Sequence, residues 1–340
     1  MQLARVHNVL PSVLLTLVGA SAAARSVRLA LLAPSVWAAA GCSCGVAVAS
    51  MAVNDYFDRA VDRRNRPDKP IPSGRVPPDG AVLFAACAYV AALATACLLE
   101  PPALRAVVAL SSTVTMLYTP LFKRVPLVKN LTVAAVVALA PLAGALAVCG
   151  AGGGGGGLGG GSIIQSGIGS TVSSGAGHQW LTAAGADAVR RLGPCSAFAF
   201  FGVAYREVLM DVHDLEGDLA EGVVTAPALL GRGGALAAAL LLLAVGTVGA
   251  LRLLYGGGLL IELPAATASA FGVFTGPVVA LMAAGPALAL LALSARCAQL
   301  ALGAARGGWL PERVDDAVNE CLKPLGAGIV LLAAVAAVGA

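Results

Sequence analysis

Long apolar runs separated by short polar ones dominate the chain. Predominantly apolar stretches lie near 9–24, 29–53, 80–99, 103–121, 127–149, 194–213, 231–254, 272–303 and 323–340. At about 1.5 Å per residue, a run of roughly 20 residues crosses a hydrocarbon layer of about 30 Å. The pattern predicts an all-α fold, a polytopic transmembrane helix bundle of about nine spans forming one domain over 1–340. The stretch 259–303 is too long for one crossing and is interrupted by Pro264, Gly272, Pro277 and Pro286, so it fits one span or two. Residues 150–179 carry no apolar run and are filled with Gly and Ser (Gly152 to Gly157, Gly159 to Gly161), which reads as a flexible insertion between spans five and six. No Lys-Ser/Thr follows those glycines, so they do not read as a phosphate loop.

Composition agrees with the pattern. The chain is 58% hydrophobic and only 12% charged, against about a quarter charged in soluble domains. The net charge of +4 is concentrated between spans, so it reports topology and does not suggest a nucleic-acid partner. The eight cysteines are scattered through apolar stretches, with one C-x-C (Cys42, Cys44) and no paired C-x-x-C, and read as small buried residues. Arg5, the apolar run from Val9 and the alanines Ala22 to Ala24 imitate a secretory signal. The chain stays membrane-like throughout, so the run is read as the first span. No separate organelle-targeting leader is read ahead of it, which leaves a plastid or mitochondrial membrane open.

Span parity places the N-terminus and the segments after spans two, four, six and eight on one membrane face. That face collects Arg5, the segment Asn54–Pro78, Lys123, Lys129 and the segment Asp211–Asp218. Its Lys/Arg excess predicts the cytosolic, stromal or matrix side.

Two polar segments on this face carry chemistry. In the first, Asn54, Asp58 and Asp62 are four residues apart and would line one helical face. Carboxylates so close repel unless a cation lies between them, and hard oxygen ligands open to water suit Mg²⁺. Arg63, Arg66 and Lys69 could then hold the remaining negative charge of a diphosphate. In the second, Asp211, Asp214 and Asp218 take i, i+3, i+7 spacing, again one face. Two acidic faces opening on one side suggest a two-ion clamp around a phosphate-rich ligand. Glu216 points elsewhere and reads as solvated; His213 lies off the acidic face.

N-D-Y-F-D-R-A-V-D-R-R-N-R-P-D-K-P-I-P-S-G at Asn54–Gly74 resembles the first Asp-rich motif of the UbiA family of intramembrane prenyltransferases, and Arg206–Asp218, ending D-L-E-G-D, resembles the second. Tyr118 to Arg124 with Asn130 resembles the stretch joining that family's fourth and fifth spans, and Arg5 and Asn8 match polar positions at the start of its first. The likeness covers the whole chain except the Gly/Ser insertion. It implies a Mg²⁺-dependent enzyme that transfers a prenyl group from a polyprenyl diphosphate to an aromatic, tetrapyrrole or glycerol-ether acceptor within the membrane. It further implies that Asn54, Asp58 and Asp62 bind one Mg²⁺ and the diphosphate, and that Asp214 and Asp218 bind a second with help from Asp211. Arg66, Lys123 and Arg5 would contact the diphosphate, Asn8 would line the pocket, and Tyr118 and Asn130 would belong to the substrate site.

In such a reaction Tyr118, Tyr56 and Phe57 are candidates to face an allylic cation. Met210 and Val224 depart from the family pattern, standing where many members carry Lys. The first motif looks nearest to the archaeal-lipid and chlorophyll-synthase types. The competing readings are a transporter with an acidic cation site and a family member that binds prenyl lipid without turning it over. The expected partners are the prenyl diphosphate, a small or lipid-like acceptor and membrane lipid; no protein partner is inferable.

Overall fold

The computed structural model describes residues 6–65, 67–100, 102–123, 125–151, 183–220, 222–256 and 275–338, and every regular element among them is helical. In chain order these are α1 (Val6–Ala24), α2 (Val27–Leu32), α3 (Pro34–Phe57), α4 (Arg59–Asn65), α5 (Pro78–Cys97), α6 (Pro102–Leu117), α7 (Val128–Ala151), α8 (Ala183–Ala220), α9 (Ala226–Gly256), α10 (Thr275–Arg306), α11 (Pro311–Glu320) and α12 (Leu322–Val338). A π-helical turn, Tyr118–Phe122, extends α6.

Each apolar run of the sequence coincides with a helix over its described residues, and among the described residues seven helices are long and apolar enough to cross a membrane. The two other expected spans fall outside that count for physical reasons. The apolar part of α1 is shorter, Val9–Ala24, and α8 carries Asp187, Arg190 and Arg191 at one end and its acidic cluster at the other. The second span runs Pro34–Phe57 and not 29–53. Pro34 at its first turn sets the start, because proline fits where no helical N–H is needed. The helix therefore continues through Asn54 and Asp55. The described part of 259–303 lies within the single helix α10; the Gly/Ser insertion lies almost entirely outside the described residues.

The chain groups into two compact units, Met1–Leu121 with Leu139–Arg190, and Phe122–Ala138 with Arg191–Ala340. The first is built on small residues. Ala39, Cys42, Val46 and Ala49 of α3 share a core with Ala85, Tyr89 and Ala92 of α5, and a methyl added at Gly144 of α7 would collide with the Thr16 carbonyl of α1. Side-chain hydroxyls join helices where lipid offers no partner: Thr16 to Ser43 at 3.0 Å, and Tyr89 to Thr115 at 3.0 Å. In the second unit Phe198, Tyr205, Leu254, Leu290 and Leu332 are fully buried. There the Tyr205 hydroxyl donates to the Cys297 carbonyl at 2.8 Å, and Thr247 bonds Ser294 at 2.8 Å. Cys42, Cys195, Cys297 and Cys321 are buried thiols as expected, whereas Cys87 and Cys97 are exposed.

Candidate active site

The first acidic segment is two helices and not one. α3 ends at Phe57 and Asp58 closes it, still in the right-handed helical region (φ −80°, ψ 0°). The Asp58 N–H donates to the Asn54 carbonyl at 2.9 Å and the Asp62 N–H to the Asp58 carbonyl at 2.8 Å. Hydrogen bonding from i+4 to i thus carries through the break and keeps Asn54, Asp58 and Asp62 in register. The Asn54 amide donates to Asp58 Oδ2 at 2.9 Å.

Asp62, 5% exposed, is closed off by Lys69, whose Nζ lies 2.6 Å from its Oδ2 and 3.4 Å from Asp55 Oδ1. Lys69 therefore serves two carboxylates here, where the sequence reading aimed it at a diphosphate. Asp55, 3% exposed, was missed. Its signal was present: Asp55, Asp58 and Asp62 repeat the i, i+3, i+7 spacing of Asp211, Asp214 and Asp218.

The P-I-P-S-G sequence explains how Lys69 arrives there. Pro70 and Ile71 are buried, and Gly74 takes the left-handed conformation (φ 75°) that glycine tolerates at little cost. The Ser73 N–H and hydroxyl both donate to the Lys69 carbonyl, at 3.0 and 2.7 Å, and the Val76 N–H donates to the Pro70 carbonyl at 3.0 Å. Arg75 donates to the Asp68 carbonyl and to Ser73 Oγ. The backbone of the loop is pinned, and the lysine side chain projects from it.

Arg59 donates to the Tyr56 carbonyl at 2.7 Å and its guanidinium carbon sits 4.4 Å from that ring's centroid. One face of Tyr56 is therefore already taken by a cation, and Phe57 meets the ring edge-on at 5.5 Å. Tyr118 is half-buried in the π-helical turn, a feature frequent at functional sites. Arg66 and Arg5 lie outside the described residues. Asn8 falls in α1, its side chain outside the described set.

The second acidic segment lies on α8, unbroken to Ala220. Asp211, 4% exposed, accepts from Lys129 Nζ at 2.7 Å and from the Asn130 amide at 2.9 Å. Asn130 Oδ1 and Asp218 Oδ2 are buried with no hydrogen-bond partner. Burial pushes the Asp218 carboxyl up to about 6; Lys129 works against this, the nearby Asp214 and Asp211 carboxylates add to it, and Lys123 pulls weakly down. His213 Nδ1 lies 2.8 Å from Asp214 Oδ1. Glu216 is exposed, as expected, and pairs with Arg232 at 2.9 Å. Met210 is half-buried and Val224 exposed.

These oxygens fit a hard cation. A buried oxygen acceptor without a protein donor can be satisfied by a water or a metal ion, and a carboxylate also by a proton. Among the described residues no three His, Cys, Asp or Glu side chains form a metal cage. An all-protein cage is not what Mg²⁺ requires, since it binds through one or two carboxylates plus waters and phosphate oxygens.

Comparison with known proteins bears on most of the chain. The model of the UbiA prenyltransferase family matches residues 12–306. A digeranylgeranylglyceryl phosphate synthase of Haloquadratum walsbyi is 31% identical over 67% of this chain, and the match spans 66% of that relative, just under two thirds of its length. The enzyme of the same name from Halobacterium salinarum is 34% identical over 69% of this chain and 70% of its own. A UbiA homolog from Archaeoglobus fulgidus, solved bound to DMAPP and Mg²⁺, shares the fold with a TM-score of 0.58 at 16% identity, covering 97% of each chain.

Proposed function

The chain belongs to the UbiA prenyltransferase family, an integral, multi-pass membrane protein, and from that premise we propose that it transfers a prenyl group from a prenyl diphosphate to a glycerol-ether acceptor. The observation that carries the reading is the pair of i, i+3, i+7 aspartate triads at the ends of membrane helices, each with its leading buried carboxylate held by a lysine. Acidic groups at such positions are costly unless they serve a ligand. The relatives named digeranylgeranylglyceryl phosphate synthase support the acceptor class.

In this reading Asn54, Asp58 and Asp62 hold one Mg²⁺ and share the diphosphate, while Asp214 and Asp218 hold a second and Asp211 orients its neighbours. Mg²⁺, when bound, supplies the positive charge that stabilises the departing diphosphate. Arg66, Lys123 and Arg5 bind phosphate oxygens, Asn8 lines the pocket, and Tyr118 offers its ring to the allylic carbon as positive charge develops. The allylic C–O bond breaks with its electron pair leaving on the diphosphate; the acceptor hydroxyl oxygen forms the new C–O bond and gives up its proton. Residues 1–340 act as one catalytic domain with 150–179 as its linker.

A second reading, prenyl-lipid binding without turnover, draws on the uncharged Met210 and Val224 beside the second triad. Membranes containing the protein, given labelled geranylgeranyl diphosphate with Mg²⁺ or with chelator, separate the two. Metal-dependent diphosphate release with a glycerol-ether acceptor, and not with phenolic, naphthoic or chlorophyllide acceptors, is the expected result. Release that survives Asp58→Ala combined with Asp214→Ala would overturn the site, and donor binding with no release would favour the binder.

A further inference from the structure

In both triads the leading, buried aspartate is held by a lysine, and we propose that in the ligand-free protein Lys69 occupies the metal's place at Asp62 while Lys129, on Asp211, holds a positive charge beside the second metal's ligands, and that both lysines pass to the diphosphate when it arrives. Mg²⁺ then binds together with the anion and not before it. This rests on the family reading above and assigns both lysines a role within it.

The geometry at Lys69 is an ion triple. Its ammonium is 2.6 Å from Asp62 and 3.4 Å from Asp55, with side chains 14%, 7% and 4% exposed. A divalent ion brought to Asp62 would meet that ammonium at close range in a weakly screened site, so the two cations exclude one another. A lysine leaves such a place readily only for another anion, and a phosphate is the strongest acceptor that would come with the metal. The anchored backbone lets this happen by rotation of the side chain alone, because Ser73 holds the Lys69 carbonyl twice.

The second triad repeats the arrangement with a different scaffold. Lys129 lies 2.7 Å from Asp211. When it leaves, the Asn130 amide, 2.9 Å from the other oxygen, remains as a donor. Asp211 is therefore not stranded.

The test uses the full chain in lipid nanodiscs with Mn²⁺ as the probe, its unbound fraction followed by electron paramagnetic resonance, with and without geranylgeranyl thiodiphosphate. The wild-type protein should bind Mn²⁺ at least about tenfold more tightly with the analogue than without it. Lys69→Met and Lys129→Met should bind Mn²⁺ alone about fivefold or more tighter than wild type, and the analogue more weakly; Lys69→Arg, which keeps the charge, should behave as wild type. Equal wild-type Mn²⁺ affinity with and without the analogue overturns the proposal and needs no variant to fold. Unchanged Mn²⁺ binding in both methionine variants also overturns it. If neither Mn²⁺ nor the analogue binds any form, the functional reading itself fails, a result distinct from tight binding of Mn²⁺ alone.

Discussion

The two acidic segments carry the same aspartate spacing, yet their buried carboxylates find a counter-ion by opposite routes. Around Asp55, Asp58 and Asp62 the counter-ion is local: Lys69 follows Asp62 by seven residues, returned by the loop that Ser73 and Gly74 fold. Around Asp211, Asp214 and Asp218 it is distant: Asn130, which with Lys129 holds Asp211, is separated from it by 81 residues. The first segment is interrupted at Asp58, while the second sits on unbroken helix. A short acidic motif thus leaves open how its charge is balanced; the surrounding backbone decides whether the partner comes from the next turn or from another helix.

The largest expected effect tests whether the segments are equal in chemistry. Asp58→Ala and Asp214→Ala, made separately, should each lower prenyl transfer by about 10²–10³-fold, the scale of losing a principal charge stabiliser. Transfer retained in either variant would break the parallel.

Stability should separate the two routes. Lys69→Met strands both Asp55 and Asp62 and should cost about 3–5 kcal/mol, as breaking a buried pair does. Lys129→Met leaves Asp211 its Asn130 donor and should cost less, about 1–3 kcal/mol. Thermal unfolding in nanodiscs reads both, and adding Asp211→Asn to Lys129→Met should recover part of the loss.

A smaller effect belongs to the second segment. With its carboxyl raised to about 6, Asp218 is ionised and open to metal above that pH and protonated below it. The Mg²⁺ concentration for half-maximal rate should be flat above pH 6 and rise roughly tenfold per pH unit beneath it. In the ligand-free protein the sign is that of a raised carboxyl: burial stabilises the protonated form, so the stability Asp218 contributes is lost as pH climbs from the usual aspartate range through about 6.

The smallest effect is a control on the second helix. A methyl at Gly217 meets nothing within 4 Å. Gly217→Ala should therefore leave transfer within about twofold and raise stability by up to about 1 kcal/mol through helix propensity.

Much of this was legible in the chain itself. The apolar runs marked each of the seven helices that are long and apolar enough to span, because crossing a bilayer demands length and hydrophobicity that a sequence displays openly. The spacing of Asn54, Asp58, Asp62, Asp211, Asp214 and Asp218 marked both acidic faces, since helical periodicity is a local property. Asp55 lies off the i+4 row of Asn54, Asp58 and Asp62, so that spacing does not mark it. The exact start of the second span was misplaced because the apolar pattern is continuous on both sides of Pro34. Tyr56 could be read as an open aromatic face, but the cation that Arg59 lays over it is a matter of side-chain direction.

What the sequence determined alone is the helical, membrane-spanning fold and the identity of the acidic faces. The tertiary structure decided that Asp62 answers to Lys69, that Asp211 answers to Lys129 and Asn130, and that an Asp218 oxygen is buried without a donor. Periodicity along one helix says which residues share a face. Partners brought from a folded-back loop or another helix depend on packing, which no local spacing encodes.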